Sequence, residues 1–240
     1  MVMILGVDEA GRGPVIGPLV VAALAIPQSE IGKLSEMGVN DSKALSPSKR
    51  MEIRNKILQE NTWKHCIICF SAEQIDRAME HDNLNAIEVQ LFAKSIEGIG
   101  TENVSKLVLD ACDVNEERFG RNVTSRLRRF PDDSELISEH KADSRHLIVG
   151  AASILAKVHR DLEVEQIANE CGVEIGSGYP SDPKTRMALP LLLAADSPHE
   201  HLRWSWATVK RAWNESGRGT VPMRPRITEN VGGQTSLDTW

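Results

Sequence analysis

Gly6-Val7-Asp8-Glu9-Ala10-Gly11-Arg12-Gly13-Pro14 closes an apolar run that begins at residue 2. That run fits a buried strand and is too short for a helix. It ends on two adjacent carboxylates. A carboxylate beside an apolar core needs a partner, or it takes up a proton. On a regular strand Asp8 and Glu9 point to opposite faces. Both serve one site if the backbone bends, and Gly11 and Gly13 permit a bend. The expectation is that the chain leaves strand geometry at or just after Asp8. The pair then binds a metal beside a loop that brings backbone close to a ligand.

Outward from this stretch, strand and helix patterns alternate. Residues 18–26 form a second apolar run, stopped by Pro27. Ser46-Pro47 has the N-cap and first-position residues of a helix, whose apolar face is Met51, Ile53, Ile57 and Leu58. Residues 63–70 read as a strand, and Ser71-Ala72-Glu73-Gln74 as a capping box. Leu84, Ile87, Leu91 and Phe92 mark a helix ended by Gly98 and Gly100. Residues 106–110 form a strand closing on Asp110, residues 115–129 a helix, and residues 135–139 a strand. Asp143 stands as N-cap of a long helix over 144–170, with Gly172 in its C-cap region. Gly176-Ser177-Gly178-Tyr179-Pro180 is a turn, followed by shorter helices over 183–195 and 205–213. This order predicts an α/β layer fold, a mixed β-sheet flanked by helices. The expected organisation is a catalytic domain over 1–170, a C-terminal helical substrate-binding region over 171–213, and a flexible tail over 214–240.

The chain has 240 residues, 28 basic and 34 acidic, for a formal charge of -6. That balance argues against a protein that coats nucleic acid by bulk electrostatics, while leaving room for a local basic groove. Cys66, Cys69, Cys112 and Cys171 are too few and too scattered for a disulfide scaffold. Cys66-Ile-Ile-Cys69 has redox spacing but lies in a strand pattern, and without a second CxxC structural zinc is set aside. The N-terminus lacks a charged leader and residues 18–26 are too short to span a bilayer. A cytoplasmic monomer is expected.

Four acids stand at element ends: Asp8, Glu9, Asp110 and Asp143. Taken singly, Asp110 ends a strand and Asp143 caps a helix. Together, without a matching histidine set, they are hard oxygen ligands suited to Mg²⁺ or Mn²⁺. Two such ions clamp the attacking and leaving oxygens of a phosphoryl displacement. A phosphate-cradling ATPase would need a Walker lysine, which is absent. A hybrid-binding module with a dead site would lack one of the acids, and all four are present.

These motifs together resemble ribonuclease HII of the archaeal kind. The resemblance runs through Asp8-Glu9-Ala10-Gly11-Arg12-Gly13-Pro14 and Gly17-Pro18, then Asp41-Ser42-Lys43 and Leu109-Asp110, to Lys141-Ala142-Asp143-Ser144. It continues through Ala151 to Val158, Arg160-Asp161 and Gly176 to Pro180. It implies a ribonuclease H-like fold that hydrolyses the RNA strand of RNA/DNA hybrids and cuts 5′ of ribonucleotides embedded in duplex DNA. The products carry a 3′-hydroxyl and a 5′-phosphate. The family's catalytic and metal-binding acids map onto Asp8, Glu9, Asp110 and Asp143. Its sensors of the 2′-hydroxyl map onto the Gly11-Arg12-Gly13 backbone and Tyr179, and its nucleic-acid backbone contacts onto Ser42 and Lys43. Arg12 and Lys43 are also the basic side chains favoured for phosphate contact. Gln234-Thr235-Ser236-Leu237-Asp238-Thr239-Trp240 has the Gln-x-x-aliphatic-x-x-aromatic spacing of a sliding-clamp (PCNA) binding motif. In a 3₁₀ turn Leu237 and Trp240 eclipse and can fill one apolar pocket with Gln234 beside them.

Overall fold

A computed structural model of the chain describes residues 1–39 and 45–225. Five strands form one mixed sheet: β1 (Met3–Ala10), β2 (Leu19–Pro27), β3 (Lys64–Phe70), β4 (Val104–Asp110) and β5 (Glu135–Glu139), in the order β3-β2-β1-β4-β5. β2 pairs antiparallel with both β1 and β3. β4 runs parallel to β1 and to β5. Every residue of β2 is buried, which explains why 18–26 reads as a continuous apolar run rather than an alternating one.

Side-chain alternation splits the core into two layers. Ile4, Val20, Ala22, Leu24 and Ile26 face α1 (Ile31–Met37), α2 (Pro47–Gln59) and the long α6 (Leu147–Cys171). Leu5, Val7, Val21, Ala23 and Leu107 face α4 (Leu84–Ile99) and α5 (Glu116–Thr124), with α3 (Ala72–Ala78) beside them. Cys66 and Cys69 of β3 lie in opposite layers, so they form no redox pair. Burial pushes both thiols up, Cys69 to about 12. The expected caps are present: Ser46 accepts from the Lys49 amide with Pro47 in the first turn, and Ser71 and Gln74 form the capping box.

α6 lies directly on β1. A Cβ on Gly6 would stand 2.7 Å from the Ile148 backbone carbon, so glycine is what lets the first turn of α6 meet the strand. A third core, built by α7 (Pro183–Leu192) and α8 (Ala207–Trp213), takes in Val15, Ile16, Val164 and Ile167 from the main body.

Several boundaries differ from the sequence expectations. β1 stays paired with β2 through Ala10, opposite Val20, so the departure from strand geometry expected at or just after Asp8 falls after Ala10. The break comes at Gly11, whose φ is +92°. α5 stops at Thr124, short of residue 129. Asp143 is not an N-cap: it sits in a 3₁₀ turn, Ala142–Ser144, and α6 starts at Leu147 after His146. Lys141, in the left-handed region at φ 58°, makes the corner between β5 and this turn. Residues 214–225 are not a free tail. Arg218 donates to the carbonyls of Leu193, Ala194 and Ala195, and Arg224 is buried against Asp76. Ser42, Lys43, Gln234, Leu237 and Trp240 lie outside the described residues. Among the described residues, no helix is long and apolar enough to cross a membrane.

Candidate active site

β1 and β4 lie side by side with Val7 opposite Leu109, and one step further each strand presents an acid, Asp8 and Asp110. Asp8 shares the face of Ile4 and points toward α6, while Glu9 starts on the face of α4. The two converge although the strand is regular, because β4 ends at Asp110 and the space beyond it is reached from both faces. Carboxylate oxygens of Asp8, Glu9 and Asp110 lie within 4.8 Å of one another. The strand's end does what a bend at Asp8 was expected to do.

This crowding opposes ionisation. Burial, then the charges of Glu9 and Asp110, push the Asp8 carboxyl well above its ordinary value. Burial and Asp110 likewise raise Glu9. The Glu9 amide donates to Asp8 Oδ1 at 2.7 Å, and Glu9 Oε2 is buried without a hydrogen-bond partner. Hard oxygen donors, an orphaned carboxylate oxygen and mutual repulsion all fit a divalent cation of the Mg²⁺ or Mn²⁺ class.

Asp143 lies beyond that trio and reaches it through α6. Lys157 Nζ stands 4.0 Å from Asp143 Oδ2 and donates to Ser153 Oγ at 2.8 Å, and Ser153 in turn hydrogen-bonds Asp8. The 3₁₀ turn carrying Asp143 is held to β4, where the Ala142 amide donates to Asp110 Oδ1 at 2.9 Å. In the sequence Ser153 and Lys157 stand out only as part of the Ala151 to Val158 stretch. Their i, i+4 spacing on the helix that follows Asp143 was the available signal.

The glycine loop is built as a rigid platform. A Cβ on Gly11 would stand 2.6 Å from the Pro18 carbonyl oxygen, on top of the strain of its positive φ. Gly13 faces the Tyr179 ring, 3.2 Å from the same hypothetical atom, so the two expected 2′-hydroxyl sensors are neighbours. Tyr179 is 38% exposed, and the Arg160 guanidinium lies over its ring at 5.4 Å. Arg12 departs from expectation: its side chain turns into α4, ion-paired with fully buried Glu88 and donating to Asn85 Oδ1 at 2.7 Å. The side chain anchors the loop to α4, because Glu88 would otherwise be a buried charge without a partner.

Arg203 is the residue the sequence hid. It is fully buried and donates to the carbonyls of Gly11 at 2.6 Å, Gly17 at 3.0 Å and Arg12 at 3.1 Å. Burial lowers its guanidinium to about 9. Its partners are backbone carbonyls nearly two hundred positions away, which leave no mark in side-chain patterning.

A mixed sheet with acids gathered at the ends of neighbouring parallel strands, beside a backbone platform faced by a tyrosine, is the equipment of a metal-dependent nuclease. The family model of ribonuclease HII matches residues 5–209. The ribonuclease HII of Thermococcus sibiricus is 45% identical over 212 residues, 86% of this chain and 89% of that protein. The crystal structure of ribonuclease H2 from Pyrococcus horikoshii superposes with a TM-score of 0.81 at 34% identity, covering 90% of this chain and 100% of that one. The ribonuclease HII in the PCNA:RNase HII complex from Archaeoglobus fulgidus gives 0.75 at 35% identity, covering 85% and 95%. The chain therefore belongs to the ribonuclease HII family, metal-dependent endonucleases with ribonuclease H activity on RNA/DNA hybrids, and has their ribonuclease H-like fold.

Proposed function

We propose that this chain hydrolyses the RNA strand of hybrids and incises duplex DNA on the 5′ side of an embedded ribonucleotide. The observation that carries the reading is the juxtaposition of the Asp8, Glu9 and Asp110 carboxylates with the Gly13 and Tyr179 platform. One part is suited to a phosphodiester and the other to a 2′-hydroxyl. Asp8, Glu9, Asp110 and Asp143 are the catalytic metal ligands. Mg²⁺ or Mn²⁺, as a pair when substrate is bound, supplies charge stabilisation at the phosphate and an activated water.

The chain's own residues do the rest. The strand ends hold Asp8, Glu9 and Asp110 before substrate arrives, so little reorganisation is required. Lys157 restrains Asp143 and Ser153 restrains Asp8. Gly11 and Gly13 bring backbone to the sugar, with Arg203 fixing the carbonyls of Gly11 and Arg12. The Tyr179 hydroxyl hydrogen-bonds the 2′-oxygen and its ring packs on the sugar. Ser42 and Lys43 contact the nucleic-acid backbone. Arg12 serves through its backbone, its side chain being occupied by Glu88. The working state is a cytoplasmic monomer. Residues 1–170 form the catalytic domain and 171–213 the substrate-binding region. The tail carries the clamp motif Gln234, Leu237 and Trp240, a reading supported by the Archaeoglobus fulgidus relative solved with PCNA.

End-labelled duplexes test the substrate claim. A DNA duplex with one ribonucleotide, incubated with Mg²⁺ or Mn²⁺, should give a single cut 5′ of that residue with a 3′-hydroxyl. An all-DNA duplex should stay intact. Cleavage of both, or of neither while a long hybrid is cut, would count against it.

A further inference from the structure

Among the described residues, one cluster that shares no residue with the carboxylate centre has the donors for a different metal. Cys69 on β3 and His159 and Glu163 on α6 place a thiol sulfur, an imidazole nitrogen and a carboxylate oxygen within 4.8 Å of one another. His159 Nε2 and Glu163 Oε1 are already 3.7 Å apart. His159 and Glu163 are one helical turn apart, the spacing at which two helical side chains reach the same ion. Cys69 comes from the edge strand and points into the layer covered by α6. Sequence spacing could not find this site: the pairing of Cys69 with Cys66 is excluded by the pleat, and its true neighbours lie about ninety residues away.

We propose that Cys69, His159 and Glu163 form a zinc-class site with one open coordination position, separate from the catalytic carboxylates. Sulfur and nitrogen donors favour Zn²⁺ or Co²⁺ over Mg²⁺, whereas the all-oxygen trio at the strand ends favours the harder ion. With Cys69 as thiolate and Glu163 ionised, the site carries two negative charges and an ion of charge 2+ neutralises them. Closing the trio on an ion draws the ligand atoms inward and staples edge strand β3 to the helix that also carries Ser153, Lys157 and Arg160. Occupancy therefore stabilises the fold from outside the catalytic centre.

Co²⁺ titration of the metal-stripped full chain in excess Mg²⁺ reads the site directly. The expected result is near-ultraviolet thiolate-to-cobalt charge transfer with tetrahedral visible bands, saturating at one equivalent and displaced by Zn²⁺. Cys69→Ser should abolish the charge transfer, Cys112→Ser should retain it, and Zn²⁺ should raise the melting temperature of wild type but not of Cys69→Ser. Circular dichroism of each variant verifies folding, and Glu163→Gln, which keeps the thiol, should weaken the bands. Absence of charge transfer in wild type, or its persistence in Cys69→Ser, overturns the proposal.

Discussion

Asp8 shows how a costly residue signals its own purpose. It is buried beside two other acids, and the fold holds it in place with a serine hydroxyl rather than with a direct cation. The sign of the resulting pH dependence follows. A carboxyl raised above its unfolded value binds more protons when folded, so metal-free stability falls as pH rises from the ordinary carboxylate range through the raised value. Chemical denaturation in chelator across that range should show the fall for wild type and a weaker one for Asp8→Asn. Divalent metal should reverse it, contributing about 2.7 kcal/mol at a hundredfold excess over Kd. Equal slopes for the two proteins would mean that Asp8 is not the strained group. Tyr179→Phe tests the other half of the site. It should lower cleavage at a single ribonucleotide by about tenfold, the equivalent of one hydrogen bond to substrate at roughly 1.4 kcal/mol, and leave the melting temperature unchanged.

Among the elements, β1, α6 and the glycine loop set the precision of the site. Asp8, Glu9 and Asp110 were legible in the sequence because they close short, continuous apolar runs that fit buried strands, and Asp143 because it precedes a helix pattern. How Asp8 and Glu9 converge was not legible: it depends on where the neighbouring strand β4 stops, which is a property of pairing rather than of β1 itself. The local structure at Asp143 differs from the expected cap for a related reason. An acid before a helix pattern looks like a cap, and only the contact of Ala142 with Asp110 reveals a separate turn. Two substitutions test this level. Gly6→Ala pushes β1 away from Ile148 and should cost about 1–3 kcal/mol by overpacking, with kcat falling as the acids separate. Arg203→Met leaves the carbonyls of Gly11, Arg12 and Gly17 without their donor, at roughly 1–3 kcal/mol for each that stays unpaired. Its melting temperature should drop, and the residual enzyme should lose preference for ribonucleotide over deoxyribonucleotide. A variant with full preference would show that the platform does not depend on Arg203.

Across the whole molecule, residues 214–225 pack back onto the catalytic body. Arg224 is buried against Asp76 and lies over the Trp204 ring at 4.4 Å, and Asp76 also accepts from the amides of Trp204 and Ser205. One acid thus ties α3, the segment next to Arg203 and the base of the tail together. Composition alone made 214–225 look unstructured, since arginine, glycine and proline dominate it and its partners are distant. Deleting 226–240 should spare stability and activity on free duplex while removing capture of the sliding clamp, whereas deleting 214–240 should also lower the melting temperature. Clamp capture by the 226–240 deletion in a pull-down would place the contact elsewhere. The proposed activity depends on acids at the strand ends acting with a divalent metal on a hybrid. Its most direct test is cleavage of an RNA/DNA hybrid in Mg²⁺ by wild type beside folded Asp8→Asn. Wild type should cleave the hybrid until chelator is added, and the variant should give no cleavage above background. Comparable rates for the two proteins would contradict it.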